Sequence, residues 1–162
     1  MSKVPKAQAP IDSSKPILLI DCFGTISNRH YIWYSLEVWA YRLKLRRKLL
    51  VLAPEVVPAL RQLKSRYTLV FFSNSYHPWM YAGIRAQHLD DIFDRIIISS
   101  EVRARKPGKK IFLHALEVLQ TDAANCTLVD NSRRNNRTAA ALGMKSIHFG
   151  SQHELYKTLH EL

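Results

Sequence analysis

Four widely separated side chains could together handle a phosphoryl group: Asp21, Ser73, Lys106 and Asp130. Asp21 follows the apolar run Ile17-Leu18-Leu19-Ile20 and could serve as a nucleophile or as a ligand of a hard cation. Ser73 follows Thr68-Leu69-Val70-Phe71-Phe72 and offers a hydroxyl. Together with Asn74 it also supplies backbone donors near a helix start, where anions bind readily. Lys106 stands just before Pro107 and could neutralise a substrate anion. Asp130 follows Cys126-Thr127-Leu128-Val129 and could complete a magnesium site with Asp21, because hard cations prefer oxygen ligands. Cys22-Phe23-Gly24-Thr25 adds a glycine turn with backbone amides. Taken singly, these residues have plainer roles. A polar residue at a strand end is usually a turn former or helix cap, and a lone lysine is usually solvated. Their common position after apolar runs is what argues for one site.

The elements that must position them follow from the hydrophobic pattern. Short uninterrupted apolar runs predict buried strands over 17–20, 68–72, 95–98 and 126–129, with a fifth over 146–149. Helices are predicted over 31–49, over 55–64, from Pro78 to about residue 88, from Pro107 to 119, and over 133–142 with Gly143 as the stop. A short terminal helix follows Gly150. Strands alternating with helices of this length imply an α/β three-layer sandwich with a mainly parallel sheet of about five strands. In such sheets ligands bind beyond the carboxyl ends of the strands, at the switch point. The domain reading is a polar, flexible tail over 1–15 and a single domain over 16–162, within which 27–52 forms a minimal helical insert.

The chain has 162 residues, enough for one domain with a real core. No apolar run approaches the roughly 18 residues of a membrane span. The first 15 residues also lack the apolar stretch of a secretory signal. The only cysteines, Cys22 and Cys126, read as buried thiols in a reducing compartment, which points to the cytoplasm. A formal charge of +11 favours anionic partners: a phosphorylated substrate, nucleic acid or an acidic protein. The cations cluster as Arg42, Lys44, Arg46, Arg47 and Lys48, then around Lys106 as Arg103, Arg105, Lys109 and Lys110, and after Asp130 as Arg133, Arg134 and Arg137. Tyr31, Tyr34, Val38, Tyr41 and Leu45 fall at helical spacing and read first as a packing stripe. His77 could touch substrate, although a turn role is simpler, and Asn125, Asn135 and Asn136 read as turn and capping residues.

Four segments resemble the motifs of the haloacid dehalogenase superfamily of hydrolases. They are Asp21-Cys22-Phe23-Gly24-Thr25, then Phe71-Phe72-Ser73-Asn74-Ser75, then Ile98-Ser99-Ser100-Glu101 through Arg105-Lys106-Pro107 with Ile111-Phe112, and finally Leu128-Val129-Asp130-Asn131-Ser132 with Asn135, Ala139 and Gly143-Met144. The resemblance implies a capless or minimally capped member of Rossmann-like fold. Asp21 would be the nucleophile, and Ser73 and Lys106 would bind the phosphoryl oxygens, with Gly24, Thr25 and Asn74 assisting. Magnesium would be held by Asp21, the backbone carbonyl of Phe23 and Asp130, with Asn131 as a further candidate.

Two residues depart from the family pattern. Phosphatases of the family usually carry a second Asp where this chain has Phe23, and an acidic residue is common where it has Asn131. Phe23 can neither protonate a leaving group nor activate water, a loss that typically costs about 100- to 10,000-fold in rate. Cys22 does not replace it, because neighbouring strand residues point to opposite faces. The expectation is therefore a slow, magnesium-dependent phosphatase with an open site suited to a large anionic substrate. The alternatives are a catalytically weak binding module for nucleic acid or an acidic partner, and a metal-free dehalogenase suggested by the aromatic at position 23.

Overall fold

The computed structural model describes residues 11–27, 52–53 and 55–162. Most of the tail and of the expected insert over 27–52 lie outside these residues, including the 31–49 helix and its basic and aromatic stripes. The side chain of His77 is also outside the description. Within them, five strands form one sheet: β1 (Ile17–Ile20), β2 (Thr68–Ser73), β3 (Arg95–Ile98), β4 (Cys126–Val129) and β5 (Lys145–Ile147). The spatial order is β3-β2-β1-β4-β5, and every pairing is parallel. Helices α1 (Val56–Leu63), α2 (His77–Ala86), α3 (Ser99–Val102), α4 (Lys109–Leu119), α5 (Arg133–Ala141) and α6 (Gln152–Glu161) connect and cover the strands.

Strand β1 is buried along its whole length because it lies at the centre of the sheet. Its side chains alternate between two cores. Leu18 and Ile20 face Leu60 and Leu63 of α1, Trp79 and Ile84 of α2, and Leu155 and Leu159 of α6. Ile17 and Leu19 face Ile111, Phe112 and Ala115 of α4 and Ala139 of α5. An apolar run with no polar alternation is what a strand covered on both sides requires. Cys22 and Cys126 are free thiols inside these two cores. No described helix is long and apolar enough to cross a membrane.

Several boundaries differ from expectation. Pro107 does not open α4. It sits in a turn closed by the Gly108 N–H donating to the Arg105 carbonyl at 2.9 Å, and the helix begins at Lys109. The fifth strand is Lys145–Ile147 rather than 146–149, because β4 ends at Val129, opposite Ile147. Phe149 then leaves the sheet to join the core beside α6. Helix α2 starts one residue early, at His77, and stops at Ala86. The short helix α3 was not expected. Residues 11–15, expected within the tail, form a turn in which the Lys15 N–H donates to the Asp12 carbonyl, and Ile11 packs partly against the second core.

Phe112 is fully buried and meets Phe72 edge to face, with centroids 5.3 Å apart. Replacing it with Ala is expected to cost about 3–5 kcal/mol in urea denaturation. Leu113 is 52% exposed on the same helix, so its replacement by Ala should stay within roughly 0.5 kcal/mol. Equal effects at the two positions would refute this account of the second core.

Candidate active site

The register of the sheet brings the two acids together. Ile20 of β1 lies opposite Val129 of β4, so the next residues, Asp21 and Asp130, emerge side by side at the carboxyl ends. On the other side Ile20 lies opposite Phe71, which puts Phe72 level with Asp21 and Ser73 one residue beyond. Lys106 arrives from the loop between α3 and α4. Its ammonium donates to Asp21 Oδ1 at 2.7 Å, to Asp130 Oδ2 at 2.7 Å and to the Phe72 carbonyl at 2.9 Å. All three donors of the lysine are thereby used. Lys106, Asp21 and Asp130 are all buried, with the lysine residue only 3% exposed.

Each member is held by further bonds. The Asn74 side chain grips the lysine backbone from both sides: its Nδ2 donates to the Lys106 carbonyl at 2.9 Å and its Oδ1 accepts from the Lys106 N–H at 2.8 Å. Asp130 Oδ1 accepts from the Ser132 N–H, and its Oδ2 also accepts from Asn135 Nδ2, each at 2.8 Å. Asn136 Nδ2 donates to the Asp130 carbonyl at 2.8 Å. Asp21 Oδ2 accepts from the buried Thr25 hydroxyl at 3.2 Å. The turn after β1 is closed by the Thr25 and Ser27 N–H groups donating to the Cys22 carbonyl. Gly24 has a positive φ of +73°, and a Cβ there would overlap the Asn131 amide. Glycine is needed on both counts.

The group opens onto a cavity of about 310 Å³. Asp21, Phe23, Gly24, Asn74, Lys106 and Asn131 all line it, and Arg105 and Arg134 add two cations to its wall. Asp130 does not line the cavity; it is fully buried and reaches the site through Lys106. Of the expected residues, Ser73, Thr25 and Asp130 do not line this wall, and of these Ser73 alone makes no side-chain bond to the group. It is fully buried, and its Oγ has no hydrogen-bond partner among the described residues. Thr25 acts through Asp21 rather than as a lining residue. Phe23 stacks on Trp79, with ring centroids 6.1 Å apart, so an aromatic pair occupies the position where an acid was absent from the sequence.

Asn135 and Asn136 were read as turn and capping residues, yet they hold the side chain and the backbone of Asp130. Their spacing from Asp130, on the first turn of α5, is the signal that could have found them. Gln152 was missed entirely. Its Nε2 reaches from the start of α6 to the Gly24 and Thr25 carbonyls, at 3.3 and 2.9 Å. No local pattern announces a contact spanning that much chain.

The electrostatics follow from burial. Desolvation raises the Asp21 pKa to about 6; neighbouring Lys106 opposes the rise and Asp130 adds to it. Desolvation works against the Lys106 charge, but the two carboxylates outweigh it and hold its pKa above the ordinary lysine value. The Cys22 thiol, buried beside this group, is pushed far up by desolvation and then by Asp21, so it is no nucleophile at neutral pH.

A family model for haloacid dehalogenase-like hydrolases matches residues 34–143, well over half of the chain. The chain belongs to this family. A stretch of 90 residues is 31% identical to a sesquiterpene phosphatase of Aspergillus oryzae, covering 55% of this chain and 46% of that protein. The chain thus spans about half of that relative. An L-2-haloacid dehalogenase structure superposes with a TM-score of 0.70 at 14% identity, covering 90% of this chain and 99% of the other. A family enzyme of Bacteroides thetaiotaomicron, solved as an Asp-to-Ala mutant with magnesium and inorganic phosphate, gives 0.65 at 15% identity, with 83% and 93% coverage. At these identities the structural likeness shows the shared fold. The family match begins beyond Asp21, which is tied to the site by its ion pair with Lys106.

The donor set fits a hard cation. The Asp21 and Asp130 carboxylates retain lone pairs beyond the hydrogen bonds they accept. No three His, Cys, Asp or Glu residues gather among the described residues. Any remaining ligands would have to be a backbone carbonyl, an amide, water or substrate oxygens, as magnesium commonly accepts.

The raised Asp21 pKa fixes the sign of a stability effect in metal-free protein. The folded state keeps the Asp21 proton to a higher pH than the unfolded chain does, so this group's contribution to stability falls as pH rises from about 4 to about 6. Asp21→Asn mimics the protonated form and is expected to be more stable than wild type at pH 7.5 by roughly 1–3 kcal/mol. The difference should vanish near pH 4. Denaturation across that range checks it, and a wild type more stable than the variant at pH 7.5 would contradict it.

Proposed function

We propose that the protein is a magnesium-dependent phosphatase in which Asp21 is the nucleophile. One observation carries the reading: a buried ammonium joins two carboxylates on adjacent strand ends, and the group faces a cavity with two further cations in its wall. Such a site concentrates positive potential where a phosphoryl group would enter, and leaves a carboxylate oxygen to attack it.

In the first step a carboxylate oxygen of Asp21 bonds to phosphorus, and the bond from phosphorus to the leaving oxygen breaks, its electron pair departing with that oxygen. In the second step water attacks phosphorus, the bond to Asp21 breaks, and inorganic phosphate leaves. Lys106 steadies charge on the phosphoryl oxygens and holds Asp21 in position. Arg105 and Arg134 draw the anion in, and Gly24 keeps the turn beside them free of a side chain. Ser73 does not line the cavity, and its buried hydroxyl is without a partner among the described residues. Asp21, Asp130 and the Phe23 carbonyl, with Asn131 beside them, would hold magnesium. Once bound, it would neutralise charge and orient the phosphoryl group.

Phe23 supplies no proton to the leaving group, so good leaving groups should react far faster than alkyl ones. The stacking of Phe23 on Trp79, with the charge of +11, also favours a second reading in which the protein binds an anionic partner with little turnover.

The decisive assay is phosphate release from an aryl phosphate, with and without magnesium, by wild type and Asp21→Asn. The phosphatase reading expects activity that requires magnesium and falls at least about a thousandfold in the variant. Activity no higher than the variant's would replace it with the binding reading. Restoring a charge beside the metal with Asn131→Asp is expected to lower the half-saturating magnesium concentration several-fold. An unchanged magnesium dependence would remove Asn131 from the proposed metal site.

A further inference from the structure

A second cavity, of about 340 Å³, adjoins the first and shares Asn74 and Arg105 with it. Its own wall includes Ser75, Tyr76, Ser100 and Arg103. Both arginines are exposed, and no described carboxylate lines the cavity. Glu101 stands on the same short helix, α3, but is not in the wall, and its carboxylate accepts from the Tyr81 hydroxyl at 3.3 Å.

Two features make this a built site rather than a chance cleft. Arg103 has a left-handed backbone, φ +52°, and its N–H donates to the Ser99 carbonyl, so the origin of its side chain is fixed. Ser75 is 5% exposed, and its backbone is satisfied by Ser99 and Ser100, with the Ser75 N–H donating to Ser99 Oγ at 3.0 Å and the Ser75 carbonyl accepting from the Ser100 N–H at 3.3 Å. Its hydroxyl, in contrast, has no partner among the described residues. A buried hydroxyl without a partner is unfavourable unless something else supplies one. Hydroxyls and guanidinium groups around one space suit an anion with several acceptor oxygens.

We propose that this cavity is a second anion subsite, which selects phosphorylated substrates carrying a further anionic group, phosphate or carboxylate. The inference rests on the phosphatase reading for the identity of the first group. Arg105, common to both walls, would lie between the two anions, and Arg103 would meet only the second. The sequence placed both arginines near Lys106 but could not divide them between two cavities.

Direct binding to the full-length protein in magnesium buffer tests this, with methylphosphonate, alkyl bisphosphonates of increasing spacer length, and phosphonocarboxylates of the same lengths as probes. The variant is Arg103→Asn, since asparagine tolerates a left-handed backbone. The best bisphosphonate should bind at least about tenfold more tightly than methylphosphonate, as one charge-assisted contact allows. Arg103→Asn should erase that gain and leave methylphosphonate binding unchanged. A matching gain with phosphonocarboxylates would identify a subsite that accepts either anion, whereas a gain with bisphosphonates alone would identify one for phosphate. No gain at any spacer length, or a gain that survives the substitution, would overturn the proposal. If the gain is present but aryl phosphate hydrolysis is absent, the subsite stands and the phosphatase reading falls; the reverse pair of results removes the subsite alone.

Discussion

The ammonium of Lys106 lies between the carboxylates of Asp21 and Asp130, 2.7 Å from each, in a setting almost closed to water. Two ionised carboxylates buried side by side would repel each other and lose their hydration. Removing the lysine would be strongly unfavourable, because it would leave two buried carboxylates without compensation. The surrounding structure follows from this constraint. The acids must leave adjacent strands in register, the lysine must arrive from a third connection, and its backbone must be pinned, as Asn74 pins it. Asn135 then satisfies an Asp130 oxygen and Thr25 an Asp21 oxygen.

This arrangement holds the pair at a disadvantage that a ligand could relieve. Three charges share the centre, one positive and two negative, and Asp21 responds by keeping its proton to about pH 6. A cation or a cation-bound phosphoryl group would shift that balance toward the ionised nucleophile. Residual destabilisation at a functional site is common, because the geometry serves the bound state rather than the empty one.

Much of the fold was legible because period and punctuation agree along the chain. Four of the five strands were placed at or within one residue of their bounds, since doubly covered parallel strands read as unbroken apolar runs. The fifth strand was misplaced because its three residues, Lys145–Ile147, are partly exposed at the sheet edge, while the apolar Phe149 belongs to the core. Pro107 misled for a different reason: proline suits both a helix start and a turn, and here a turn precedes the helix. In the site, Asp21, Lys106 and Asp130 were legible as polar residues ending apolar runs or flanking proline. The roles of Asn74, Asn135 and Gln152 were not, because a side-chain amide can bond to almost any backbone group and only the folded chain decides which. Ser73 was read as a hydroxyl for the phosphoryl group from its position at the end of β2; β2 runs one residue beyond the level of Asp21, and Ser73 is fully buried there.

The central claim is that Asp21 takes the phosphoryl group onto its carboxylate. Brief reaction with an aryl phosphate, acid quenching and borohydride reduction would convert an aspartyl phosphate to homoserine, which peptide mass spectrometry can locate. The account predicts homoserine at position 21 and at no other aspartate. Modification at another residue, or turnover of the substrate with position 21 intact, would contradict it.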